Sequence, residues 1–186
     1  FPQLRGLADK SAEAKLNDAL KALVVGKPAD RNELCATATE DRPYLEQGSY
    51  QVTASSPHAV AIRASGYMYT GGAHGSSWVR CVVADLAQGA LVEPKGRVND
   101  GARAQLRARV NQELRREHKT AKLSEAGFFD DDVPLTRDTE LCLERAKLVV
   151  EFQPYEVAPY VMGAPSVALP AEEARALFGG DALLAG

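Results

Sequence analysis

Tyr50-Gln51-Val52-Thr53-Ala54-Ser55-Ser56-Pro57-His58-Ala59-Val60-Ala61-Ile62 reads as two strands and the turn between them. Tyr50, Val52 and Ala54 alternate with polar residues, the period of a half-buried strand. Ser55-Ser56-Pro57 breaks the pattern with turn chemistry. A second strand then runs from His58 to Tyr69, with Val60 and Ile62 on one face, and a third from Ser76 to Leu86, carrying Trp78, Val79, Val82 and Val83. Gln88-Gly89 closes the third strand as a turn. Hairpin-length connections make this region antiparallel.

Helices flank it. Before it, Ala12, Leu16, Leu20 and Leu23 recur at helical spacing, Asp9 or Ser11 supplies a cap, and Gly26 and Pro28 end the helix. Residues 29–47 read as a loop or short irregular segment. After the strands, Val98, Ala102, Leu106, Val110 and Leu114 form an unbroken i, i+4 stripe. Asn99 or Asp100 caps this helix, and Arg109 and Glu113 are placed to pair across one turn. Its Arg- and Glu-rich side reads as a solvated face rather than an anion-binding one. Two strands follow, around Thr139–Leu143 and Leu148–Phe152. The Pro-rich passage from Gln153 to Pro165 excludes a regular helix. Pro170, Glu172, Glu173 and Gly179-Gly180 delimit a short closing helix. The order α-βββ-α-ββ-α predicts an α+β fold, with helices packed on one face of an antiparallel sheet. Residues 1–50 form an N-terminal helix and connecting segment, and 51–186 an α+β subdomain, together one compact unit.

The composition narrows the function. The 186 residues carry 22 Lys+Arg against 25 Asp+Glu, a net charge of -3, and 45% hydrophobic residues. This content supports a core and argues against long disorder. The absence of a basic excess argues against a nucleic-acid binder. No apolar run is long enough to span a membrane. Opening at Phe1-Pro2 without an initiator Met, the chain reads as a mature or trimmed ectodomain. Cys35, Cys81 and Cys142 form no CxxC. They allow one disulfide in any of three pairings, or three buried thiols.

Catalytic signatures are scarce. There is no GxSxG, and Ser76 and Ser77 beside His74 do not make a triad, which depends on long-range geometry. His58, His74 and His118 have no metal-ligand spacing, and Asp130-Asp131-Asp132 lack the pattern of a calcium loop and read as a solvated acidic loop. No carboxylate pair is singled out for glycosidase chemistry. The sequence indicates no cofactor and no metal.

Two segments exceed what local structure requires. Tyr67-Met68-Tyr69-Thr70-Gly71-Gly72-Ala73-His74-Gly75 has glycines for a tight strand exchange, but more aromatic and polar groups than a turn needs. Phe152-Gln153-Pro154-Tyr155-Glu156-Val157-Ala158-Pro159-Tyr160 places Tyr155 and Tyr160 around Glu156 in a proline-stiffened loop. Amphipathic aromatics on a rigid loop suit recognition. Alternatively both tyrosines pack under the sheet and Glu156 caps a backbone turn.

These two motifs, with the helix between them and the opening Phe1-Pro2-Gln3-Leu4-Arg5-Gly6 leading to Asn17, resemble the extracytoplasmic domain of RsiV-type anti-sigma factors. The same module resembles the non-catalytic N-terminal part of PdaC-type peptidoglycan deacetylases and occurs in envelope lipoproteins. The resemblance implies a non-catalytic binding domain, periplasmic, extracellular or lipid-anchored, that recognises a lysozyme-like protein or a cell-wall glycan. It implies Tyr69, Thr70, Gly71, Gly72, His74, Tyr155, Glu156 and Tyr160 as contact residues. One disulfide among the three cysteines would fit an oxidising periplasm. No transmembrane helix or sigma-binding segment accompanies the module in this chain. Two alternatives stand beside it. One is an envelope enzyme using His74 and Glu156 as an acid/base pair. The other is a periplasmic inhibitor or immunity protein.

Overall fold

The computed structural model describes residues 1–26, 28–41 and 43–177. Among the described residues, four α-helices and seven strands follow the order α1 (Lys10–Val25), α2 (Pro28–Thr37), β1 (Leu45–Ser55), β2 (Ala59–Tyr69), β3 (Ser76–Asp85), β4 (Ala90–Val92), α3 (Asp100–His118), β5 (Glu140–Glu144), β6 (Lys147–Glu151), β7 (Ser166–Pro170) and α4 (Ala171–Leu177). The fold is α+β, as expected. Its strands divide between two antiparallel sheets, β1-β2-β3-β4 and β5-β6-β7, where the sequence suggested one.

The divergences have local causes. The predicted loop over 29–47 contains α2 and the start of β1. Its described side chains, Asn32, Glu33, Cys35, Ala36 and Thr37, are exposed and show no apolar stripe among them. Pro28 fits its first position because no intrahelical partner is needed there. Strands β4 and β7 are three and five residues long, too short for a clear period. Pro170 ends β7 at the edge of its sheet, and α4 starts at the next residue. Gly179-Gly180 lies outside the described residues.

Helix α1 is held at both ends. The Asp9 carboxylate accepts hydrogen bonds from the Ser11 and Ala12 amides at 2.8 and 3.1 Å, and Gly26, at φ 78°, donates to the Ala22 carbonyl. Its buried stripe is Ala12, Leu16, Leu20 and Val24. Leu20 packs on Ile62 and Val82, which are cross-strand partners on one face of the first sheet. Burying Leu16 and Leu20 completely contributes about 2 kcal/mol each. Asn17 ties down the N-terminal segment by accepting from the Leu4 amide and donating to the Leu4 carbonyl.

The opposite face of this sheet meets the second sheet. Ala61 and Val83 enter a core with Leu106, Val110 and Leu114 of α3 and with Leu141, Val150, Val167 and Leu169. The stripe predicted for α3 is therefore its buried face, and Asn99 is its cap. Because α1 and α3 lie on different layers, the helices do not share one face of a single sheet. The charged side of α3 forms ion pairs and carbonyl contacts. Arg109 binds Glu113 and Glu173, and Arg103 donates to the Thr136 and Lys95 carbonyls.

Covalent and polar ties join the sheets, among them the hydrogen bond from the Thr53 hydroxyl to the Leu143 carbonyl. Cys81 and Cys142 form a disulfide with Cα atoms 5.0 Å apart, and Cys35 is free and exposed. The Arg63 guanidinium donates to both Glu151 oxygens. The Gln153 amide donates to the Val79 carbonyl at 2.9 Å and accepts from the Val79 amide at 3.2 Å, as a neighbouring strand would.

Candidate functional site

The loop between β2 and β3 and the Pro-rich loop after β6 meet at one surface. The strand exchange is made by Gly71 and Gly72, both at positive φ, and the Tyr69 hydroxyl donates to the Gly72 carbonyl at 3.0 Å. The Gly75 amide donates to the Tyr67 hydroxyl. A Cβ at Gly75 would lie 2.3 Å from the Tyr67 ring, so only glycine permits this approach. The approach presents His74 outward.

The Pro-rich loop supplies the other half. Glu156 faces inward. One of its oxygens accepts from the Gln153 amide at 2.8 Å, and the other from the hydroxyls of Thr136 and Thr139. The Glu156 amide donates back to the Gln153 carbonyl. This turn holds Tyr155 at φ 66°, a left-handed conformation that costs a non-glycine residue of order 1 kcal/mol or more. The strain turns the Tyr155 ring outward, where it is 53% exposed.

The rings meet there. The His74 imidazole stacks on Tyr160 with centroids 4.5 Å apart, and Tyr155 lies 5.5 Å from Tyr160. The Tyr155 hydroxyl is 3.4 Å from His74 Nε2, while Nδ1 is 2.9 Å from the Gly75 carbonyl. In neutral His74, Nδ1 then donates to that carbonyl and Nε2 accepts from Tyr155. Val161 projects beside this group and is 91% exposed.

The predicted residues thus separate into three sets. His74, Tyr155 and Tyr160 form one surface. Glu156 is the scaffold of the turn, and its polar contacts do not include His74. Tyr69, Thr70, Gly71 and Gly72 line a different hollow, of about 630 Å3, against Thr37, Thr39 and Tyr44. The acidic loop is engaged internally. Asp131 accepts from the Ser124 amide and hydroxyl, which hold its carboxyl below the usual range, and Asp132 pairs with Arg107.

A further hollow, of about 500 Å3, adjoins Tyr155 and Glu156 and reaches Lys95 and Glu140. Sequence reasoning did not single out Glu140. It is 2% exposed, accepts from Lys95 Nζ at 2.6 Å and from the Cys81 amide at 3.1 Å, and burial pushes its carboxyl pKa up despite these bonds. The available signal was its placement two residues before Cys142, on the same face of a strand. Cys81, Cys142 and Glu151 are also close enough to group around an ion, but both sulfurs are committed to the disulfide.

Comparison with known proteins agrees with this architecture. Residues 1–77 match the family model described as Deacetylase PdaC, and residues 95–172 that described as Protein of unknown function (DUF3298). Neither description names an RsiV-type protein. No curated protein matches the sequence. Among solved structures, a DUF3298 family member from Bacteroides fragilis superposes with a TM-score of 0.69 at 18% identity, covering 91% of this chain and 79% of its own. A DUF3298 family protein from Pseudomonas aeruginosa gives 0.66 at 18% identity, covering 92% and 79%. At that identity the likeness concerns the fold.

Proposed function

We propose, from a chain that joins a PdaC-like N-terminal segment to a DUF3298-like C-terminal one, that it is a non-catalytic extracytoplasmic binding domain. Its ligand would be a lysozyme-like protein or a cell-wall glycan. The observation that carries this reading is Tyr155. A backbone in the left-handed region, fixed by Glu156, points an exposed ring at His74 and Tyr160. Backbone strain that holds an exposed ring is characteristic of functional positions. Rigid tyrosines at a surface form the kind of anchor that dominates protein interfaces.

The cross-sheet disulfide supports a location in an oxidising compartment. No helix among the described residues is long and apolar enough to cross a membrane. The inward bonding of Glu156 weakens the acid/base reading, because its lone pairs are used by Gln153, Thr136 and Thr139. An inhibitor role gains little from a surface of three rings with one projecting Val161.

Titration against lysozyme and against soluble muropeptides tests the reading. Binding to either that is lost in Tyr160→Ala supports it. No binding to either at high micromolar concentration overturns it.

A further inference from the structure

Strand β1 forms one edge of the first sheet, and it is built unlike the other edges. Strands β4, β5 and β7 span only three, five and five residues. Pro94 stands just after β4, Pro170 ends β7, and β5 carries Glu140 and Glu144. Where β3 runs past β4, the Gln153 amide and the Glu140 carboxylate occupy its outward groups. Shortness, proline, charge and cover all keep an edge from pairing with another chain. Strand β1 has none of these guards along most of its length. It runs for eleven residues without Lys, Arg or Pro, and Glu46 is its one charge. Every residue from Leu45 to Val52 is exposed, and the bulge in its ladder comes only after Val52.

The direction of its main-chain groups follows from the ladder. The Val79 amide and carbonyl both face Gln153, away from β2. Ser65, opposite Val79, therefore turns its own groups toward β1, and Ser49, opposite Ser65, turns its groups back. Its neighbours alternate, so Gly48, Tyr50 and Val52 aim their amides and carbonyls out of the sheet. The same three residues share the face covered by α1, because a Cβ on Gly48 would lie 2.3 Å from the Val24 carbonyl. Tyr50 and Val52 are 43% and 55% exposed there. Gln47, Ser49 and Gln51 lie on the other face, where Gln47 and Ser49 border an open cleft.

A strand that fits this edge needs apolar residues on the α1 side and neutral polar ones on the cleft side. That is the pattern of β1 itself. We infer that β1 is a dimer interface, pairing antiparallel with β1 of a second copy about a twofold axis at Ser49. An axis normal to the sheet keeps each face on its own side. Gly48 then pairs with the partner's Tyr50, Gln47 with the partner's Gln51, and Glu46 with the partner's Val52. This register joins the outward groups of Gly48 and Tyr50 in both directions. It lays a tyrosine ring beside a bare glycine, sets amide against amide, and opposes no like charges. The two four-stranded sheets become one of eight strands. The inference does not depend on which ligand the Tyr155 surface takes.

Sedimentation equilibrium of the intact protein over about 5–500 µM tests it, with a dimer Kd of about 10–100 µM expected for so small an interface. Tyr50→Lys should weaken the dimer at least about tenfold while leaving the far-ultraviolet dichroism unchanged. A second measurement reads the register. Directly opposed residues of this kind have Cα atoms about 4.5 Å apart, within disulfide range. In a Cys35→Ser background, Ser49→Cys should therefore cross-link into dimers under mild oxidation, and Gln47→Cys should not. A chain that stays monomeric at the highest concentration overturns the inference and leaves the edge to a strand of another protein. A dimer that Tyr50→Lys does not weaken overturns it too, as does a dimer in which Ser49→Cys fails to cross-link or Gln47→Cys cross-links equally well.

Discussion

Cys81 on β3 and Cys142 on β5 are joined across 61 residues of chain, and their disulfide fastens one sheet to the other. Closing a loop of that length removes unfolded-state entropy worth about 4 kcal/mol. Reduction, or paired Cys81→Ser and Cys142→Ser substitution, should lower the denaturation free energy by that order. Cys35→Ser should leave it unchanged. Denaturant titration with and without reductant checks both.

Beside this bridge, Lys95 and Glu140 form a pair with side chains 14% and 3% exposed. Removing one partner leaves the other unpaired at a largely buried site. Lys95→Met or Glu140→Leu alone should destabilise by about 3 kcal/mol, while the double variant should recover part of the loss, the Cys81 amide staying unpaired. A double-mutant cycle from chemical melts measures the coupling.

The carboxylates give opposite pH responses. The Arg116 hydrogen bond, foremost among several contacts, holds Glu113 below 4.5, so its contribution is present above that pH and is lost as pH falls through its folded value. Burial raises Glu140 above 4.5, so the folded state holds that proton more tightly and stability falls as pH rises from 4.5 to the folded value. Glu140→Gln should abolish that second slope, and Arg116→Ala should reduce the acid-side loss. Thermal melts across this range decide the signs.

Gly66 lies opposite Trp78, and a Cβ there would stand 2.4 Å from the indole. Gly66→Ala should displace the ring at a cost of about 1–3 kcal/mol. The displacement should appear as a shift in tryptophan emission, and the cost as a lower melting temperature.

Asn111 anchors the loop that follows α3. Its amide donates to the Arg107 and Val133 carbonyls and accepts from the Val133 amide. Asn111→Ala leaves both Val133 groups unpaired in a buried site and should cost about 2 kcal/mol. Hydrogen exchange of the Val133 amide should accelerate with it.

The elements visible in the sequence were those with a period. The α3 stripe, the β2 and β3 alternation and the Asp9 cap all survive folding. The described side chains of α2 are exposed and show no stripe to announce it, and β7 owes its place to pairing with β6. Of the site, the two motif segments were visible as excess, and folding brings His74 to Tyr155 and Tyr160. Their partition was not visible. That Glu156 turns inward depends on Thr136 and Thr139, which are distant in sequence. That Glu140 is buried depends on Lys95, and residue types alone do not encode such pairings.

The paired amide bonds between Gln153 and Val79 also have a mechanical meaning. They fix the Pro-rich loop two residues before Tyr155, and on the other side they grip β3 two residues before Cys81. A partner that tugs on the tyrosines therefore pulls against a covalently cross-linked frame. The recognition loop behaves as a stiff lever mounted on the bridged sheets, and force applied at its tip is shared between the Gln153–Val79 bonds near the sulfur link and the core seats of Phe152, Val157 and Ala158.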